Sequence, residues 1–117
     1  CRAGSYLPFS FGDSLDGRLA NCNGEYPYGQ YELGIWRKTA TPVYTFPPNP
    51  NGLYDMHGNL WEMTYSPGDE KITTAGGCWG NSYYFCRISS TAQNTKDQKN
   101  SSTGFRLVAE KISAGLL

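Results

Sequence analysis

The stretch Asn51-Gly52-Leu53-Tyr54-Asp55-Met56-His57-Gly58-Asn59-Leu60-Trp61-Glu62-Met63 decides how this chain is read. It sets two carboxylates, Asp55 and Glu62, on either side of a turn built on Gly58. Glycine enters the left-handed region without a Cβ penalty, so the chain can curl at Gly58 and aim carbonyls between the two acids. Carboxylates and carbonyls around a tight turn suit a hard cation such as calcium, which takes about six to eight oxygen ligands. A second reading of the same residues stays open: Asp55 and Glu62 cap nearby N–H groups and hold no ion. His57 is the one histidine and has no Cys or Ser nucleophile matched to it in the motif. It is therefore read as a packing or hydrogen-bonding group rather than a base or a metal ligand.

Outward from the motif, composition narrows the class. A length of 117 residues allows one domain. Aromatic residues make up 15% of the chain and the formal net charge is zero, which is not the signature of a disordered segment. The same neutrality leaves no basic footprint for nucleic acid. No apolar run approaches the roughly 20 residues a membrane-spanning helix needs. Fourteen Gly and seven Pro add many break points, and few stretches could hold an amphipathic helix's apolar stripe for three turns. The chain reads as a loop-rich domain packed on aromatics, small enough to need a disulfide or metal staple.

Local signals are short. Thr41–Phe46 is β-rich, but Pro42 confines it to an edge or a strand start, and the cluster 47–52 closes it with a turn. Lys71–Ala75 reads as a strand ending at Gly76-Gly77, Ser82–Ile88 as a second strand, and Phe105–Val108 as the last one. The polar run 91–103 reads as a loop, and 109–117 as a frayed tail. Cys1, Cys22, Cys78 and Cys86 show no CxxC spacing, so zinc has little support. Four cysteines permit three full pairings, and spacing does not choose among them.

The motif resembles the signature of the formylglycine-generating enzyme (sulfatase-modifying factor) family. Further segments match in order: Cys1-Arg2-Ala3-Gly4, Pro8-Phe9-Ser10-Phe11-Gly12, Thr41-Pro42-Val43, Phe46-Pro47-Pro48-Asn49, Gly76-Gly77-Cys78-Trp79, Cys86-Arg87, Gln93-Asn94-Thr95 and Gly104-Phe105-Arg106. The resemblance runs over 1–108 and corresponds to the C-terminal half of the family's domain, so the reading expects an upstream half. It implies an α+β, C-type-lectin-like fold with little regular secondary structure and bound calcium.

Carried over residue by residue, the resemblance implies a calcium site of Asp55, the carbonyls of Gly58 and Leu60, and Glu62. A second calcium set would use Asn21, the Cys22 carbonyl and an acid a few residues before Pro42. No acid stands at 35–37, so that set lacks a ligand. The family's enzymes oxidise a substrate cysteine with O₂, using copper(I) between two active-site cysteines. The first of these falls on Asn81, so copper is not expected. Cys86 matches a structural disulfide position whose partner corresponds to Cys1. Cys78 replaces a family serine.

Three functions follow from this resemblance. The leading one is a non-catalytic binding or structural module, stabilised by calcium and a disulfide and placed outside the cytoplasm. Its ligand surface is expected at Trp79, Asn81, Tyr83, Tyr84, Arg87, Gln93 and Asn94, where aromatic anchors alternate with adaptable polar groups. The partner would be a protein or a small ligand, with the chain as a possible subunit of a larger assembly. The alternatives are a formylglycine-generating oxidase and a ligand-binding protein diversified by a retroelement.

Overall fold

The computed structural model describes residues 1–29, 32–64, 68 and 70–112. Its regular structure is one four-stranded sheet, which the acidic motif enters directly. Strand β1 (Trp61–Met63) runs out of the turn and carries Glu62. Strand β2 (Lys71–Ala75) has the bounds its β-branched residues predict and pairs antiparallel with β1, Glu62 opposite Ala75. Strand β3 (Thr91–Thr95) lies antiparallel on the far side of β2, and β4 (Thr103–Gly104) lies parallel to β1, giving the order β3-β2-β1-β4.

Four expectations of local structure are corrected. Ser82–Ile88 is not a strand: Tyr83–Cys86 forms a 3₁₀ turn that buries Tyr83 and Cys86 and exposes Tyr84 and Phe85. Burial at i and i+3 is the period of three that a 3₁₀ turn requires. The polar run 91–103 is not all loop, because Thr91–Thr95 pairs with all five residues of β2. Cross-strand pairing decides a strand more than composition does. The last strand ends at Gly104 rather than occupying Phe105–Val108, whose side chains are largely exposed apart from Arg106. Thr41–Phe46 also forms no strand among the described residues; Thr45 Oγ donates to the Pro42 carbonyl and closes a turn.

Among the described residues there is no α-helix, so the α+β label finds only its β component here. The remainder is ordered loop. Of the 109–117 tail, 109–112 are exposed and the rest lies outside the described residues.

The core lies between the loops rather than under the sheet: Phe9, Leu15, Ala20, Cys22, Tyr83 and Cys86, with Phe11, Leu19 and Tyr28 packed against it. Buried asparagines supply the hydrogen bonds that helices and long strands would otherwise provide. Asn49 Oδ1 accepts the N–H groups of Asn51 and Leu53. Asn59 Oδ1 accepts the Thr41 N–H at 2.8 Å, and its Nδ2 donates to the Thr41 carbonyl. These side chains hold the loops against the acidic turn.

Candidate functional site

The turn closes as the sequence requires. Gly58 sits at φ 71°, and an added Cβ would stand 2.4 Å from the Asn21 carbonyl oxygen and 2.5 Å from Cys22 Sγ. Its N–H donates to the Gly76 carbonyl, while the Asn59 N–H donates to the Asn21 carbonyl. The turn is thus pinned to two other segments at once.

Asp55 also adopts a left-handed backbone, φ 55°, which is uncommon for a residue with a side chain. One carboxylate oxygen accepts the Tyr44 N–H, whereas Oδ2 is buried without a hydrogen-bond partner among the described residues. Burial pushes the Asp55 carboxyl above its ordinary value and neighbouring Glu62 adds to this, against the Tyr44 N–H and Arg106. Glu62 pairs with Arg106 through both oxygens, Nε reaching Oε2 at 2.6 Å and Nη2 reaching Oε1. The same Nη2 donates to the Tyr54 carbonyl at 2.9 Å. Beside these charges opens a cavity of about 320 Å³, walled by Tyr44, Tyr54, Leu53 and Phe105. Tyr44 and Tyr54 meet edge to face at 4.6 Å.

The donor set fits a cation. A buried carboxylate oxygen without a partner is the group a bound cation satisfies. Glu62 can accept a cation while keeping Arg106, since a carboxylate offers about four lone-pair sites. No three His, Cys, Asp or Glu side chains gather into a metal cluster among the described residues. The Gly58 and Leu60 carbonyls would therefore have to complete the set. Asn21 is fully buried, and its Oδ1 likewise lacks a partner, while Nδ2 donates to the Thr39 carbonyl at 2.9 Å.

Of the seven residues expected to bind ligand, Tyr83 is buried and Asn81 is held by hydrogen bonds within the fold. Asn81 is committed to the fold: its Oδ1 accepts the Cys78 N–H, its carbonyl accepts the Asn23 N–H at 2.8 Å, and its N–H donates to the Cys78 carbonyl. Tyr83 is 3% exposed, and burial, followed by the thiol of Cys22, pushes its phenol up to about 12. Tyr84 and Arg87 form an outward pair, the guanidinium 3.8 Å from the ring centroid. Gln93 and Asn94 lie on β3, where Asn94 Nδ2 donates to Thr74 Oγ. Trp79 Nε1 donates to the Ser101 carbonyl. Sequence reading missed Tyr44, Tyr54, Phe105 and Arg106 as neighbours of the acids. No local signal marked them: Arg106 has Glu110 four residues on in sequence yet pairs with Glu62.

His57 is buried between three segments. The Ser10 N–H donates to Nε2 at 3.1 Å, which leaves the proton on Nδ1 for the Cys86 carbonyl at 2.8 Å. Burial lowers its pKa, opposed by the Cys86 carbonyl. The cysteines correct the expected pairing. Cys1 is exposed, with Sγ directed at the Met56 carbonyl, whereas Cys86 Sγ is buried 2.9 Å from Cys22 Sγ. Cys86 therefore stands beside Cys22 and not Cys1.

A family profile described as "Sulfatase-modifying factor enzyme 1-like domain" matches residues 1–111. The chain belongs to this family. Sulfatase-modifying factor relatives include the formylglycine-generating enzyme of Mus musculus, 29% identical over 74% of this chain and 32% of that protein. The inactive C-alpha-formylglycine-generating enzyme 2 of the same organism is 37% identical over 56% of this chain and 25% of that protein. Among solved structures, that of PvdO from Pseudomonas aeruginosa is similar with a TM-score of 0.68 and 27% identity, over 89% of this chain and 46% of that one. The chain thus spans less than half the length of these sulfatase-modifying factor relatives, and both active and inactive proteins carry the domain.

Proposed function

We propose that this chain is part of a non-catalytic binding or structural module of the sulfatase-modifying factor family, acting outside the cytoplasm and stabilised by calcium at the Asp55–Glu62 turn. The observation that carries this reading is Asn81. It stands where the family resemblance puts the first copper-binding cysteine; its side chain and N–H hold the 78–81 turn, and its carbonyl accepts the Asn23 N–H. An amide oxygen is a poor ligand for a soft metal ion. The similarity to an inactive relative supports the same reading.

For calcium, the support is the unpartnered Asp55 Oδ2 beside Glu62, with the Gly58 and Leu60 carbonyls on the connecting turn. When bound, calcium would neutralise the two acids and lock the turn. The cavity between Tyr44, Tyr54 and Phe105 is the concave surface next to it, and the Tyr84–Arg87 pair is a separate outward one.

Two measurements test the reading. Titration calorimetry of chelator-treated protein should give one calcium site, lost in Glu62→Gln; no heat in the native protein removes calcium from the proposal. Incubation with a cysteine-containing peptide, copper(I) and O₂ should leave the peptide unchanged by mass spectrometry. Conversion of the cysteine to formylglycine would overturn the non-catalytic reading.

A further inference from the structure

We infer that Cys22 and Cys86 are a disulfide-forming pair, a cross-link different from the Cys1–Cys86 pairing that the family resemblance implies. The two sulfurs are 2.9 Å apart and both residues are buried, Cys22 at 1% and Cys86 at 0% exposure. A covalent S–S bond needs about 2.05 Å, so closure brings the two sulfurs together by roughly 1 Å.

The backbone is shaped to let each sulfur in. A Cβ on Gly58 would stand 2.5 Å from Cys22 Sγ, and one on Gly77 would stand 2.7 Å from Cys86 Sγ. Both glycines have positive φ, so neither place accepts a side chain readily. The other two cysteines differ: Cys78 lies near Cys86, whose Sγ is 3.9 Å from the Cys78 carbonyl, but no sulfur–sulfur contact joins it to the pair among the described residues. Cys1 is exposed, and Cys78 has its own neighbours, the N–H groups of Gly80 and Asn81 and the Ser102 hydroxyl. Burial and the facing Cys86 push the Cys22 thiol well up, so Cys22 rests as a neutral thiol when reduced.

Closure is a thiol–disulfide exchange with a small-molecule disulfide such as oxidised glutathione. One thiolate of the pair, having lost its proton to solvent, attacks a sulfur of the reagent, whose S–S bond breaks and releases one small thiol. The second protein thiolate then attacks that mixed disulfide, forms the Cys22–Cys86 bond and expels the second small thiol. The protein pair is oxidised by two electrons and the reagent is reduced to two thiols. Because both sulfurs are enclosed in the folded chain, the exchange belongs to folding, before the core closes. The finished bond is then shielded from reductants.

Refolding the full chain with oxidised and reduced glutathione, then counting thiols after denaturation and mapping peptides without reduction, tests this. The expected result is two free thiols, Cys1 and Cys78, and one peptide pair joining Cys22 to Cys86. The oxidised protein should melt on the order of 10 °C above the reduced one, since the bond closes a long loop. Four free thiols, or Cys86 joined to Cys1 or Cys78, overturns the inference. The double variant Cys1→Ser, Cys78→Ser should keep both the link and the melting shift, and loss of either overturns it as well. Calcium and oxidase measurements are unaffected by these outcomes.

Discussion

Asp55 concentrates the chemistry of the site into one side chain. Its backbone is left-handed, one oxygen accepts the Tyr44 N–H, and the other is buried without a partner among the described residues. The shift in its pKa has a definite sign. A carboxyl raised in the folded state contributes stability below its unfolded value near 3.8, and that contribution is lost as pH rises through the folded value. At neutral pH the fold therefore carries a half-buried charge, which the proposed calcium would relieve. Asp55→Asn keeps the shape and removes the charge. In chelator its melting temperature should match or exceed that of the native protein by a few degrees, roughly 1 kcal/mol. Added calcium should raise the native protein's melting point and leave the variant's nearly unmoved. Differential scanning calorimetry with and without calcium reads both, and an equal calcium shift in the two proteins would remove Asp55 from the ligand set.

At the scale of elements, the turn before β1 is fixed by space as much as by backbone angle, and two glycines separate these causes. Gly52 (φ 77°) and Gly58 (φ 71°) share a backbone conformation, but a Cβ on Gly52 meets nothing within 4 Å. Gly52→Ala should cost about 1 kcal/mol, the penalty of the left-handed region. Gly58→Ala adds a clash with Asn21 and Cys22 and should cost at least about 3 kcal/mol, enough to abolish cooperative melting. Equal losses in chemical denaturation would show that angle alone sets the turn. These contrasts also mark what the sequence made legible. Gly58 between two acids was visible because glycine and carboxylates name their roles by residue type. Strand β2 was visible from its β-branched run. Strand β3 was not, because Thr91-Ala92-Gln93-Asn94-Thr95 becomes a strand only through its five-residue pairing with β2. The site's cation was hidden for the same reason: Arg106 reaches Glu62 across 44 positions, and no local pattern encodes that distance. Cys22 beside Cys86 is likewise a product of topology, 64 positions apart.

The whole molecule is held by crossing contacts between loops, and its shape reflects that. It measures 58 × 33 × 26 Å, with a radius of gyration of 15.4 Å, above the ~13 Å typical of this length. Exposed Phe105, Leu107, Val108 and Ile112 run along its C-terminal segment. With so little sheet to make the fold cooperative, contacts that join several segments matter most. His57 is the clearest, linking the 8–12 loop through Ser10, the acidic turn it belongs to, and the 3₁₀ turn through Cys86. Phe9 and Phe11 enclose the ring, and burial disfavours its protonated form. A histidine whose folded pKa is lowered lets the unfolded chain bind the proton first. Stability is therefore full above about 6.5 and is lost as pH falls from there toward the folded value. The loss approaches about 1.4 kcal/mol per pH unit for one proton, and protonation also removes the acceptor that the Ser10 N–H requires. Urea denaturation in chelator from pH 7.5 to 5 should show the midpoint falling below pH 6.5. His57 is the chain's one histidine, the side chain type that ordinarily titrates in that range, so His57→Gln should flatten the profile even though it lowers stability at pH 7.5. A midpoint that stays level in the native protein, or a slope that survives in the variant, would mean that the three-segment link does not depend on a neutral imidazole.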